Sequence, residues 1–306
     1  MHHRMTLGSA WLRGLAGAVL LAGAAPLAAQ NVAEACQGCH ADYYDSYKAH
    51  RHGTKSDART PANNGECVAC HGAGALEHAQ KGGGRGVGGV INMGSKTVPA
   101  ATKNAACLSC HQGGNRIGWQ MSAHAGNDVS CTSCHKIHVP NDPVRDRFTQ
   151  TETCFGCHKE QRVQVNRPSH HPVVEGKMSC SSCHNVHGDN PKQLVRASVV
   201  ETCYSCHMEK RGPFVHAHPP VQEDCGICHQ PHGTTISNLL KARAPFLCQE
   251  CHSHTSHPSQ AGQLTTGRAT SPGLLGSVAR GCLNCHTNIH GSNSTQNSAT
   301  AGRFRR

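Results

Sequence analysis

An elongated chain of short helices and loops, with little β-structure and an interior filled by something other than side chains, is the fold class the sequence predicts. Three observations predict it. Among 306 residues only 4% are aromatic, the mean hydropathy is −0.48, and 33 glycines and 15 prolines interrupt the chain. No long run of apolar residues with helical or strand period appears after residue 30, so no ordinary core can be assembled. The 20 cysteines all fall in Cys-x-x-Cys pairs, and each pair is followed at once by a histidine.

The first 29 residues are set apart from this pattern. Arg4 and Arg13 precede an apolar stretch too short to span a bilayer, and small residues for cleavage lie near Ala29. These features predict a secretory signal peptide over 1–29, exported unfolded by the general route. A retained anchor is the alternative.

The cysteine pairs decide the class. They are Cys36/Cys39, Cys67/Cys70, Cys107/Cys110, Cys131/Cys134, Cys154/Cys157, Cys180/Cys183, Cys203/Cys206, Cys225/Cys228, Cys248/Cys251 and Cys282/Cys285. The histidines that follow are His40, His71, His111, His135, His158, His184, His207, His229, His252 and His286. In such a unit the two thiols add to the vinyl groups of a haem and the adjacent imidazole becomes an axial ligand of its iron. Zinc ribbons have no reason to place histidine after every pair, and a disulfide framework leaves the histidines unexplained. The reading is a multihaem cytochrome c with ten covalently bound c-type haems in a continuous row.

The sites repeat in twos. Units beginning at Cys36, Cys107, Cys154, Cys203 and Cys248 are separated by 71, 47, 49 and 45 residues, which predicts five dihaem repeats over 30–290. The long first step contains the glycine-rich stretch 81–89, expected to be a flexible linker because it lacks the ending of a phosphate-binding loop. A polar mobile tail is expected over 291–306, with Arg303, Arg305 and Arg306 solvated or touching a partner.

Each iron needs a second axial ligand. Outside the signal segment and the motifs, 14 histidines remain. His124 and His138 are the only two candidates in their unit, and recurrent contexts (SAH, SHHP and HPP before a motif, HG after one) help with the rest, giving the choice His52, His78, His124, His138, His171, His187, His218, His232, His257 and His290. His50, His170, His216 and His254 are spare, and the choices between His50 and His52 and between His170 and His171 stay open. A histidine three residues after a motif histidine cannot easily reach the opposite face of the same haem, so His138, His187 and His232 are expected to ligate a different one. Methionine at one site is an alternative. Bis-histidine ligation throughout leaves no open iron, which predicts electron transfer and no catalytic residues.

With about 277 residues after the signal peptide, each haem has fewer than 30 residues to cover it. Haems must therefore touch and form much of the interior. Nine steps of ~4.5–7 Å cover roughly 40–60 Å, more than the ~30 Å hydrocarbon layer of a membrane. The formal charge of +11 is not a nucleic-acid signal, because about twenty haem propionates offset it.

Ten motifs in about 300 residues, the phrases SHHPVVEGKMSCSSCHNVHG and GPFVHAHPPVQEDCGICHQPHG, and the ending CLNCHTNIHGSN resemble the DmsE/MtrA-type periplasmic decahaem cytochromes. The resemblance implies a wire-like protein in the periplasm, associated with the outer membrane inside a β-barrel porin. Its expected partners are periplasmic or inner-membrane cytochromes on one side and an extracellular multihaem cytochrome or mineral on the other, in metal reduction or iron oxidation. It also implies two pentahaem halves meeting near residue 160. A soluble periplasmic carrier feeding a terminal reductase, and a reductase with its own open haem, are the alternatives. The extra histidines such as His216 and the lengthened tail depart from the family pattern.

Overall fold

A computed structural model describes residues 32–252, 282–284, 286–294 and 304. The signal segment, Cys285, His254, His257, Arg303, Arg305 and Arg306 lie outside these residues. Among the described residues the longest helices have nine residues, Ala41–Ala49 and Ala100–Leu108. Two-residue strands β1 (His216–Ala217) and β2 (Gly291–Ser292) form an antiparallel pair with His216 opposite Ser292. The expected architecture of short helices, loops and little strand is the one observed.

Side chains do not make the core. Among the described residues the buried apolar ones include small ones such as Ala33, Ala62 and Ala75, the largest being Trp119, Tyr47 and Phe155, and the largest fully buried side chain is that of Ser122. Native interiors are close-packed, yet one continuous cavity of about 3500 Å³ runs from His52 and His111 to His252, His286 and Phe304. Ligand pockets for small molecules are typically ~300–1,000 Å³, so this space has room for several large groups.

The helices are short because each has one task. In nine motifs the histidine N–H donates to the carbonyl of the first cysteine, at 2.8–3.0 Å; His71 ends the helix Glu66–His71 that carries the tenth. Each motif is thus one helical turn, which brings two thiols and an imidazole together. Polar side chains join the motifs of a unit. The Glu66 carboxylate accepts from Ala33 N at 2.8 Å, Asn104 Oδ1 from Cys131 N at 2.7 Å, and Gln150 Oε1 from Ser181 N at 3.0 Å.

Successive units are tied by further bonds between loops. Ser169 and Thr234 exchange backbone hydrogen bonds at 3.1 and 2.8 Å, and Ser169 Oγ accepts from Leu239 N at 2.9 Å. Farther on, β1 and β2 join the segment before Cys225 to the segment after His290, and Val215 N donates to Asn293 Oδ1 at 2.8 Å.

One expectation gives way here. The stretch 81–89 is a packed loop, not a free linker: Val87 O lies 3.0 Å from His78 Nδ1. Gly88 has φ +76, and a Cβ on it would collide with the His78 backbone, so glycine is required for the close approach. In the stretch 291–306 some of the described residues make contacts. Ser292 is buried in β2, and Phe304 O accepts from Asn288 N at 3.0 Å while its ring packs edge-on against His218, centroids 5.6 Å apart.

Candidate functional site: paired thiols and opposed imidazoles

The first cysteines of the two motifs in a unit adjoin. Cys107 lies beside Cys131, Cys154 beside Cys180, Cys203 beside Cys225, Cys36 beside Cys67 and Cys248 beside Cys282. The second cysteines face one another across the junctions between units, Cys70 toward Cys110, Cys134 toward Cys157, Cys183 toward Cys206 and Cys228 toward Cys251. All described cysteines are free thiols.

Cys39 is exposed, as are Cys110, Cys157, Cys206 and Cys251. The local geometry at Cys39 is that of the other motifs, with His40 N donating to Cys36 O at 2.9 Å and the His40 ring facing His78.

Opposite each of nine motif histidines stands a second imidazole. The pairs are His40/His78, His71/His138, His111/His52, His135/His187, His158/His124, His184/His232, His207/His171, His229/His290 and His252/His218, with ring centroids 5.9–6.4 Å apart. An imidazole nitrogen lies ~2.0–2.1 Å from a first-row metal and roughly 1.2 Å from its own ring centre, given ring bonds of about 1.33 Å. Two imidazoles on opposite faces of one metal then have centres about 6.4 Å apart. The observed spacing fits an iron between them.

The chain order of these pairs is regular. His78 faces the motif histidine of its own unit, but every other observed pair crosses to the adjacent unit. His52 reaches forward to His111 while His138 reaches back to His71; His124 and His187, His171 and His232, and His218 and His290 do the same at the next three junctions. The supply of two second histidines per unit therefore does not mean that a unit uses its own. His138, His187 and His232 stand away from the motif they follow because a three-residue separation is too short to go round a macrocycle. The tenth motif histidine, His286, is described, whereas His257 lies outside the described residues.

Second partners fix the rings. Nδ1 of His124 is 3.2 Å from Val186 O, that of His138 is 3.0 Å from Tyr43 O, and that of His171 is 2.8 Å from Pro231 O. Among motif histidines, His71 Nδ1 is 2.9 Å from Ile91 O, His184 Nδ1 3.1 Å from Lys192 O and His229 Nδ1 2.8 Å from Asn238 O. A carbonyl accepts from Nδ1–H and leaves Nε2 with its lone pair toward the partner ring, the tautomer a metal ligand needs. The carbonyls are aimed by left-handed turns: Lys192 and Gln193 have φ of 56 and 53, Asn238 and Leu239 of 60 and 59. The chain then returns along the motif, with Val195 N to Cys183 O and Lys241 N to Cys228 O both at 2.9 Å.

Burial favours the neutral imidazole. It pushes the His52 pKa down to about 4 and lowers those of His138, His187, His218, His232 and His290. Iron binds this neutral form.

The spare histidines have other work. His50 is buried and stacks on His52 at 4.9 Å, their Nδ1 atoms 3.1 Å apart. His170 bonds to Arg167 O and, at 2.9 Å, to Glu175, so both its ring nitrogens are engaged, whereas His171 faces His207. His216 sits in β1.

The donor set fits haem c better than a bare ion. Among the described residues no three His, Cys, Asp or Glu side chains converge to hold a metal, whereas paired thiols, a large cavity and opposed imidazoles suit a macrocycle bound at two edges and two faces. The model of the doubled CXXCH motif matches residues 170–212 and 218–257, and that of the cytochrome c-type protein NrfB-like family matches 67–147. The chain is 42% identical over 267 residues to the multiheme cytochrome MtrA of Shewanella baltica (strain OS185), covering 85% of this chain and 78% of that protein. The chain belongs to the MtrA multihaem cytochrome family.

As an MtrA-family cytochrome it binds c-type haem through its Cys-x-x-Cys-His motifs. Several supporting residues went unseen in the sequence of this family member. Asp142, whose Oδ2 is 2.6 Å from His135 Nδ1, carries no motif signal. The glycine after each of His187, His232 and His290 was visible in the repeated HG. Its reason is steric: a Cβ on Gly233 would collide with Gln164 O, and one on Gly291 with the Phe214 ring.

Proposed function

We propose that the chain is a ten-haem electron conduit across the outer membrane, seated inside a β-barrel porin. It would link periplasmic or inner-membrane cytochromes to an extracellular cytochrome, metal ion or mineral. The ten motif cysteine pairs would hold the haems as thioethers. Each motif histidine with its partner would fill both axial positions, His257 serving His286. When bound, haem c supplies a one-electron Fe(III)/Fe(II) couple.

The observation that carries this reading is the exchange of histidines across every described junction. Because His52 and His138, or His171 and His232, each serve a neighbour, adjacent sites are locked at contact spacing and the row has no internal gap. Both imidazole faces being taken supports transfer over substrate turnover. No helix of the described residues is long and apolar enough to cross a membrane, so lipid would have to be kept away by a partner. The 1–29 segment would direct export to the periplasm.

The test is extraction of native outer membranes in mild detergent, followed by capture of this chain. A co-purifying β-barrel that shields the cytochrome from protease is the expected result. Recovery only from the soluble periplasm, without a barrel and readily digested, overturns the conduit and leaves a soluble carrier.

A further inference from the structure

Of the five motif histidines whose Nδ1 contact is seen, three lean on backbone carbonyls and His207 lies 3.6 Å from an exposed Glu209 carboxylate. His135 differs. Its Nδ1 is 2.6 Å from Asp142 Oδ2, and the Asp142 side chain is only 5% exposed. The other oxygen, Oδ1, accepts from Lys136 N at 3.2 Å, and Asp142 is the N-cap of the 3-10 turn Pro143–Arg145. The Lys136 backbone N–H and the His135 ring between them hold the carboxylate in place. The cations nearby are Arg116, facing His111 and His187, Arg145, facing His50, His52 and His111, and Lys136, near Cys134.

We propose that Asp142 is a positioning residue that makes the His135/His187 position the hardest of the row to reduce. The proposal rests on the haem-ligand reading above. A charged acceptor forms a shorter and stronger bond than a carbonyl, and with little water to screen it the negative charge is felt at the iron. Drawing the Nδ1 proton toward Asp142 makes the imidazole a more basic ligand, which favours the ferric state. The fourth site of ten then stands as an uphill step between the first three and the last six.

The test uses the holoprotein with Asp142→Asn, which is isosteric and neutral. Haem content is measured by mass, and a spectroelectrochemical titration reads the ten one-electron components. One component is expected to move positive by about tenfold in its equilibrium constant, or ~59 mV for one electron, while nine stay; Asp142→Glu should return it toward the wild-type value. A full haem complement with no component moved overturns the role of Asp142 but leaves the ligand assignment. A His135 motif carrying no haem in the wild-type protein overturns both. If Asp142→Asn fails to load, the wild-type protein decides: in a titration followed by EPR, the last ferric signal must be of the near-parallel type, matching the 17° between the His135 and His187 rings. A last signal of the near-perpendicular type overturns the proposal.

Discussion

Nδ1 of His171 lies 2.8 Å from the carbonyl oxygen of Pro231, the residue before His232. One of the two histidines that cross this junction in opposite directions is therefore hydrogen-bonded to the backbone that carries the other. The same relation recurs at the preceding junction, where His124 contacts Val186 O beside His187, and at the following one, where a backbone bond from His218 reaches Ile289 beside His290. Orienting one ring at a junction helps to orient the other.

His171→Ala should leave the His207 site with one axial ligand. About one haem in ten should become high-spin in the ferric state and bind an added ligand such as cyanide or carbon monoxide. His170→Ala, which removes only the bonds to Arg167 and Glu175, should leave all sites low-spin. Low-spin spectra for both variants would mean that His170 can replace His171.

Ring orientation predicts two classes of ferric signal. The His111/His52 and His158/His124 rings are near-perpendicular, at 87° and 90°, whereas His229/His290 and His135/His187 are near-parallel at 13° and 17°. Parallel rings donate into one iron d-orbital and split the pair; perpendicular rings leave it nearly degenerate and the g-tensor strongly anisotropic. EPR of the oxidised protein should show both classes, with substitution of His52 or His124 removing intensity from the anisotropic class. Loss from the other class instead would refute the assignment.

Gly233→Ala should destabilise the holoprotein, because its φ of +143 is strained for an L side chain and a Cβ would meet Gln164 O. A cost of at least ~1–3 kcal/mol is expected in denaturant unfolding. Gly113→Ala, where nothing stands within 4 Å of the added carbon, should stay within about ±0.5 kcal/mol. Equal stability of the two variants would contradict the close approach.

Asn104 is buried and bridges two motifs, accepting from Cys131 N at 2.7 Å and donating to Val129 O at 3.3 Å. Asn104→Ala leaves both groups without that partner, at a cost of about 1–3 kcal/mol. Thermal unfolding of the holoprotein should register it; an unchanged midpoint would show that the bridge is replaceable.

The ten motifs were legible in the sequence because their chemistry is covalent and local. Two thiols and an imidazole within five residues form one helical turn in any context, so Cys107, Cys110 and His111 announce their role without a fold. The absence of an apolar core was equally plain, since composition alone limits what can be buried. Which histidine faces which motif was not a local matter. His52 and His111 are 59 residues apart in the chain, and their approach depends on how the helices bearing Cys67 and Cys107 pack. Asp142 and the Val186, Pro231 and Lys192 carbonyls were beyond sequence reasoning too: a backbone acceptor has no side-chain signature, and one aspartate looks like another until its burial is known. Thus the sequence by itself determined the kind of cofactor chemistry and its repeat. Only the tertiary structure decided the crossing of histidines between units and the one buried carboxylate set against a motif histidine, because both depend on packing that no short-range pattern encodes.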